Sequence, residues 1–494
     1  MKIRNTKSIY KALAIAAMTV FASSCSKYLD VNPDMRTDIN TPEKVAQLLV
    51  TAYPQYDYLL FTELASDNST DKGPGVGNQN DIAFDSYFWK EVMQTSGNNA
   101  PNTYWNAAYS AIAASNQALE ALEQNDFGER GKQLRGEALL ARAYVHHMLV
   151  SIFAKAYVIG GDNSSPGIPY VLEPETVVFK DYERGTVASV YENIEKDLVE
   201  GLKLINGATF KVTKYHFNPQ AANAFAARFY LHKGEYQKVV QFATAIMPDN
   251  NFRDNLRPVA NRLRTAEFSV VPLEFMSSEG PYNLLLANVY SSFASIAGNG
   301  RYGLGNNRRD FLNSKTAAGK EFYQRYGSYG DDKLTVTKYP GLFFVTNPLS
   351  NIGYNYTLQC LFSLDEALIN RAEAYVQLGQ NSLALKDLND FVYPRIQNYD
   401  ANAHQVTLDK IAAFFETSDP KEGLIKTVLD FKQRAFFHEG MRWFDINRHQ
   451  LEIQHNHIDE TGLETFEVLK KDDLRRVFQL PESVKNSGLE PNPR

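Results

Sequence analysis

The sequence predicts a mainly α-helical scaffold of antiparallel helical hairpins, with long irregular loop insertions and little β structure. Three observations lead there. Apolar residues recur at helical spacing in several long runs, glycines break these runs near their midpoints, and two long polar, aromatic stretches interrupt the pattern. In the run 361–391, Leu364, Ala367, Leu368, Tyr375 and Leu378 line one side of a helix with ~3.6 residues per turn. Gly379 supplies a left-handed stop. Asn381 or Ser382 is placed to cap a returning helix whose inward face is Ala384, Leu388 and Phe391.

Residues 218–246 repeat the plan, with Asn218 as cap, Pro219 at the first helical position, Gly234 as break, and Val239, Ala243 and Ile246 as the returning stripe. A third pair runs through Trp105, Ala108, Ile112, Leu119 and Leu122, then through Leu134, Ala138, Ala141, Val145, Met148 and Ile152. Small residues such as Ala372 and Ala374, and the order Tyr, Leu-Gly, Ala, are those of a tetratricopeptide-type hairpin. One hairpin cannot cover its own apolar stripe, so the hairpins must stack. Thr41 and Pro42 open a shorter helix facing inward through Val45, Leu48, Leu49 and Ala52, and the run from Thr186 to Leu198 adds one more.

At 494 residues, 44% hydrophobic and 12% aromatic, the chain can bury a large core. A net charge of -6 offers no basic field for phosphate backbones, so nucleic acid is not an expected partner. Lys2, Arg4, Lys7 and Lys11 precede a short apolar run, Ala12 to Phe21, that ends in Ala22-Ser23-Ser24-Cys25. This is the layout of a bacterial lipoprotein signal over 1–24, with Cys25 as the acylated mature N-terminus anchored in a membrane. Cys360 is the only other cysteine, so no intramolecular disulfide is expected.

The string from Cys25 to Pro33, the runs YWNAAYSAIAASNQAL, GEALLARAYVHHMLVSIFAKAY, AANAFAARFYLHKGEYQKV and DEALINRAEAYVQLG, and the closing LPESVKNSGLEPNP together resemble SusD/RagB-type lipoproteins of the Bacteroidetes. So does the segment Glu439-Gly440-x-Arg442-Trp443-Phe444-Asp445-x-x-Arg448. Gln433 stands where that family often has an acidic residue, and Phe437 where it often has Leu. The resemblance implies a single SusD-like domain over 25–494. Its N-terminal part, about 25–260, would carry the first repeats and a ligand loop at 61–101; its C-terminal part, about 261–494, would carry an insertion at 270–357 and the last repeat. It also implies an outer-membrane lipoprotein exposed at the cell surface. Such a protein binds an oligosaccharide, or in some members a peptide, and sits on a SusC-like TonB-dependent β-barrel transporter; it is not an enzyme.

The stretch 61–101 loses helical periodicity and is rich in Gly, Asn and Asp around Tyr87, Phe88 and Trp89. Sugar rings stack on aromatic planes while their hydroxyls need amide and carboxylate partners, which makes Trp89, Tyr87, Asp67, Asn78 and Asn80 candidate ligand residues. The competing reading is that Phe88 and Trp89 dock the loop onto the scaffold. The resembled family completes its ligand surface from loops in the position of 270–357, which adds Tyr290 and Tyr302, with a loop pinned by its own tyrosines as the alternative.

The remaining motifs call for no cofactor or metal. Gly298-x-Gly300-x-x-Gly303 lacks a surrounding βαβ unit and reads as a turn. His455 and His457 have no further ligands at metal spacing, and His146 and His147 diverge by ~100° on a helix. Glu439, Arg442 and Asp445 fall at i, i+3 spacing, as an ion-pair ladder closing the helical stack would. The expected function is glycan capture and delivery to the transporter, with peptide capture as the alternative. An exported glycoside hydrolase would need two carboxylates ~5–9.5 Å apart, and no loop pair stands out.

Overall fold

Helix starts follow the capping chemistry of the sequence. In the computed structural model, which describes residues 39–94, 96–175 and 180–494, Thr41 accepts a hydrogen bond from the Lys44 N–H and opens helix α1 (Pro42–Leu49). The expected signal segment and Cys25 lie outside the described residues. Helix α2 (Leu59–Ala65) is buried along its whole length, and α3 (Asp81–Tyr87) is capped by Asn80. Then come α4 (Pro101–Gln124) and α5 (Gly128–Phe153), α6 (Val187–Ile205) with a reciprocal Thr186/Ser189 capping box, and the pair α7 (Pro219–Lys233) and α8 (Tyr236–Ile246), opened by Asn218.

Neighbouring helices pack as expected for a stack: α4 on α5, α5 on α6, α7 on α8, and α8 on α9 (Leu364–Gln377), which pairs in turn with α10 (Asn381–Val392). Gly234 and Gly379 take φ of 80° and 72°, the left-handed values that let each hairpin reverse. Neither Asn381 nor Ser382 caps α10. Gln380 holds the N-cap position and makes no side-chain bond to the helix. Where α5 meets α6, Gly136 and Gly201 bring the backbones together: a Cβ on Gly136 would lie 2.9 Å from the Ile205 nitrogen, and one on Gly201 would lie 3.1 Å from the Gly136 oxygen.

The two insertions carry more order than the sequence suggests. The stretch 61–101 contains most of α2 and all of α3, and its aromatic centre is buried. The stretch 270–357 supplies β1 (Asn283–Tyr290), β2 (Leu342–Asn347) and the start of β3 (Ile352–Ser363), an antiparallel sheet of order β1-β3-β2 that leads directly into α9. Gly298 to Gly303 forms the turn from a short helix, Phe293–Asn299, into a two-residue strand that pairs with Thr70 and Asp71.

After α11 (Pro420–Ala435) and α12 (Arg442–Arg448), the hairpin β4 (Ile453–Ile458) and β5 (Glu464–Leu469) closes against the loop before α3. The expected charge ladder along 439–445 does not form. Glu439 meets Arg257 and Lys338, Arg442 meets Asp67, and Asp445 meets Lys432 and Arg448, so these side chains bond distant segments rather than one another. Only the Asp445–Arg448 contact is local. Among the described residues no helix is long and apolar enough to cross a membrane.

Candidate ligand-binding site

Three of the four aromatic candidates turn inward. Tyr87, Trp89 and Tyr302 are 0%, 6% and 1% exposed. The His455 ring lies between Tyr87, with centroids 4.2 Å apart and planes at 9°, and Trp89, at 4.3 Å and 19°. Tyr302 stacks on Tyr87 at 4.8 Å. Trp89 sits at φ 52°, a left-handed conformation that a bulky residue seldom takes, and its indole N–H donates to the Ala65 carbonyl at 2.8 Å. These rings dock the loop onto the end of the chain, which is the competing reading of this stretch; their faces are covered by other rings and cannot also cover a sugar.

The polar candidates of the same loop are engaged too. Asp67 receives two hydrogen bonds from Arg442. Burial alone would raise its carboxyl, but the adjacent guanidinium holds it below the ordinary value. Asn80 accepts from the Ala83 N–H as helix cap. Asn78 joins the turn at 299–301 through its backbone, donating to the Asn299 carbonyl and accepting from the Arg301 N–H, and its side chain is left exposed. His455 has a carbonyl oxygen against each ring nitrogen, Tyr87 at 2.6 Å and Ser66 at 2.9 Å, and burial pushes it down to about 4. It therefore cannot share a metal with His457.

Tyr290 stands apart from this packed group. It ends β1, where its N–H donates to the Gln55 carbonyl at 2.7 Å, and it pairs with Tyr356 on β3. On the other side of β3, Tyr356 pairs with Leu342 and Tyr354 with Phe344. Side chains of directly paired residues share a face, and the alternation along each strand brings Tyr290, Tyr354, Tyr356 and Phe344 to the same side. Their rings form a row. Tyr56 meets Tyr290 at 5.1 Å between centroids, Tyr290 meets Tyr354 at 4.6 Å, and Tyr354 meets Phe344 at 5.3 Å. Tyr56, Tyr290 and Tyr354 are half-buried and Phe344 is 51% exposed, so the row keeps open surface.

Beside the row lies a groove of about 170 Å³, bounded by Tyr290 and Tyr354 with Tyr215, by Thr51 and Gln55 from the segment after α1, and by Asn288 of β1. Gln55 and Asn288 are exposed and supply amide donors and acceptors. No residue that bounds the groove is charged. Partial desolvation, with Tyr290 alongside, raises the Tyr354 hydroxyl above its ordinary value, so it remains a neutral donor and acceptor at pH 7. Stacking surfaces next to neutral hydrogen-bonding groups can hold a sugar ring and its hydroxyls; no acid–base pair for cleaving one is present among the groups bounding the groove.

Of this arrangement, the sequence singles out Tyr290 alone and does not point to Tyr56, Tyr215, Asn288, Tyr354 or Phe344. The alternation Tyr354-x-Tyr356 beside Leu342-x-Phe344 was the available signal of a strand pair with one aromatic face.

Two family models match the chain. One, described as starch-binding and associating with the outer membrane, matches residues 27–231, and the SusD family model matches residues 294–484. No curated protein matches. Among solved structures, a SusD superfamily protein of Bacteroides thetaiotaomicron is 20% identical with a TM-score of 0.65, over 92% of this chain and 100% of its own. A SusD-like carbohydrate-binding protein of Bacteroides vulgatus is 15% identical with a TM-score of 0.64, over 91% and 96%. Another from Bacteroides fragilis is 14% identical with a TM-score of 0.61, over 92% and 99%. These likenesses establish the fold, and the family models cover both the first helical repeats and the last one: the chain belongs to the SusD/RagB family.

Proposed function

We propose that this protein captures a glycan at the Tyr290 groove, at the cell surface, and passes it to a TonB-dependent β-barrel partner. The observation that carries the reading is the contiguous row Tyr56, Tyr290, Tyr354 and Phe344 beside a groove bounded by uncharged polar groups. Family membership supports a carbohydrate ligand and association with the outer membrane. Cys25, with the apolar run before it, supports a lipid anchor on a single SusD-like domain spanning 25–494. The protein acts by binding; chemistry on the sugar belongs to other proteins.

The test is calorimetric titration of residues 26–494 with a panel of neutral and acidic polysaccharides. Binding to one of them should weaken ~3–10-fold in Tyr290→Ala or Tyr354→Ala, the loss of one stacked ring. Full affinity in both variants would remove the site. One observation favours peptide capture as a second reading: β2 is an edge strand of its sheet, and its free backbone edge could add a peptide strand. A mixed peptide library in the same titration separates the two, since an added strand would bind β2 whether or not Tyr290 is present.

A further inference from the structure

A second cavity, sharing no bounding residue with the Tyr290 groove, lies under the segment 258–276. It holds about 30 Å³, more than the ~10–15 Å³ one water needs. Four cations border it: Arg257, Arg325, Lys338 and Arg395, with Phe275 and Phe322 among the apolar residues of its wall. Two carboxylates answer them directly. Glu439 takes Arg257 at 3.3 Å and Lys338 at 2.7 Å, and Asp365 takes Arg395. Glu63, whose field also reaches Lys338, is already held by the N–H groups of His438 and Gly440.

Arg325 donates to the carbonyls of Arg264 and Ala266, and among the described residues it makes no ion pair. Arg257 is 3% exposed, and its Nε has no hydrogen-bond partner; the Thr337 hydroxyl at the same cavity is also buried without one. An excess of cations and unused donors around a small, partly enclosed space calls for a negative charge inside it.

We propose that this cavity binds a small monovalent anion, a halide or a one-carbon carboxylate such as formate. Its volume admits such ions and excludes sugars and larger carboxylates. The anion completes the charge balance of the Arg257, Lys338, Glu439 cluster and so fixes the segment 258–276 over the hub that Glu439 anchors.

The test is thermal unfolding of residues 26–494 at constant ionic strength, replacing gluconate, which is too large to enter, with bromide or formate. The native protein should gain about 1–2 °C in a saturable manner, and Arg325→Gln, which breaks no ion pair, should gain nothing. Crystals soaked in bromide should give an anomalous peak bounded by Arg257, Lys338 and Arg395. Equal midpoints in gluconate and bromide, or a cavity without an anomalous peak, would mean that it holds only water, and an unchanged gain in Arg325→Gln would place the anion elsewhere; each overturns the proposal.

Discussion

Arg442 grips Asp67 through two parallel hydrogen bonds, Nε to Oδ1 at 2.8 Å and Nη2 to Oδ2 at 2.9 Å, and so ties α12 to the turn after α2. The pair spans 375 residues of sequence. Removing the carboxylate leaves a guanidinium that is 9% exposed without its counter-charge. Asp67→Ala should therefore cost about 2–4 kcal/mol in urea unfolding while leaving glycan affinity at the Tyr290 groove unchanged. A loss of affinity without a loss of stability would restore Asp67 to the ligand surface.

Tyr290 and Tyr354 touch, so their contributions to a ligand cannot be independent. The double variant Tyr290→Ala/Tyr354→Ala should lose less affinity than the two single losses combined, with a coupling of at least ~0.5 kcal/mol in a double-mutant cycle. Strict additivity would mean that the two rings serve separate subsites.

Crossing helices without room for a side chain make a sharp test of packing. Gly136→Val should destabilise the fold by about 1–3 kcal/mol or more, because its Cβ meets backbone rather than a movable side chain. Gly75→Ala, at φ 80° but with nothing within 4 Å of an added Cβ, isolates the conformational cost alone and should fall below it in the same unfolding experiment.

Acid should weaken the protein well before its ion pairs fail. Burial pushes His146, His147 and His438 down to about 3 and His455 to about 4, against 6.5 when unfolded. As pH falls through 6.5 toward 4, the unfolded chain takes up protons that the folded chain refuses, and stability drops. Burial also raises Asp57 to about 6 and Glu63 to about 7, which acts in the opposite sense, since the folded chain then binds those two protons first. Burial also lowers His232, and it raises Asp85, Asp387 and Asp430, whose ordinary value of 3.8 lies farther below this range than the histidines' 6.5. The histidines therefore dominate, and the urea midpoint should fall from pH 7 to pH 5; a midpoint that rises over this range would contradict the assignment.

What was legible in the sequence was local. Caps at Thr41 and Asn218, and left-handed glycines at 234 and 379, act within a few residues, so helix borders could be read from neighbours alone. The candidate site was legible only at Tyr290. Whether an aromatic residue faces solvent depends on what covers it, and for Tyr87 and Trp89 the cover is His455, more than 360 residues away. Tyr354 reaches Tyr290 through strand register, which no window of sequence displays. The charge pattern of 439–445 misled for the same reason: i, i+3 spacing offered partners, and distant groups took them first.

The insertion of His455 between Tyr87 and Trp89 has a temporal meaning. During synthesis the loop around α3 emerges long before the residue that clasps it, so the faces of Tyr87 and Trp89 that His455 covers stay open until nearly the whole chain is available, although Tyr302 reaches Tyr87 earlier. Closing so distant a contact costs loop entropy that local helix pairing does not, which places this clasp late in folding, after the helical stack has formed. A chain cut before β4 would keep its repeats and lose the seat of its loop.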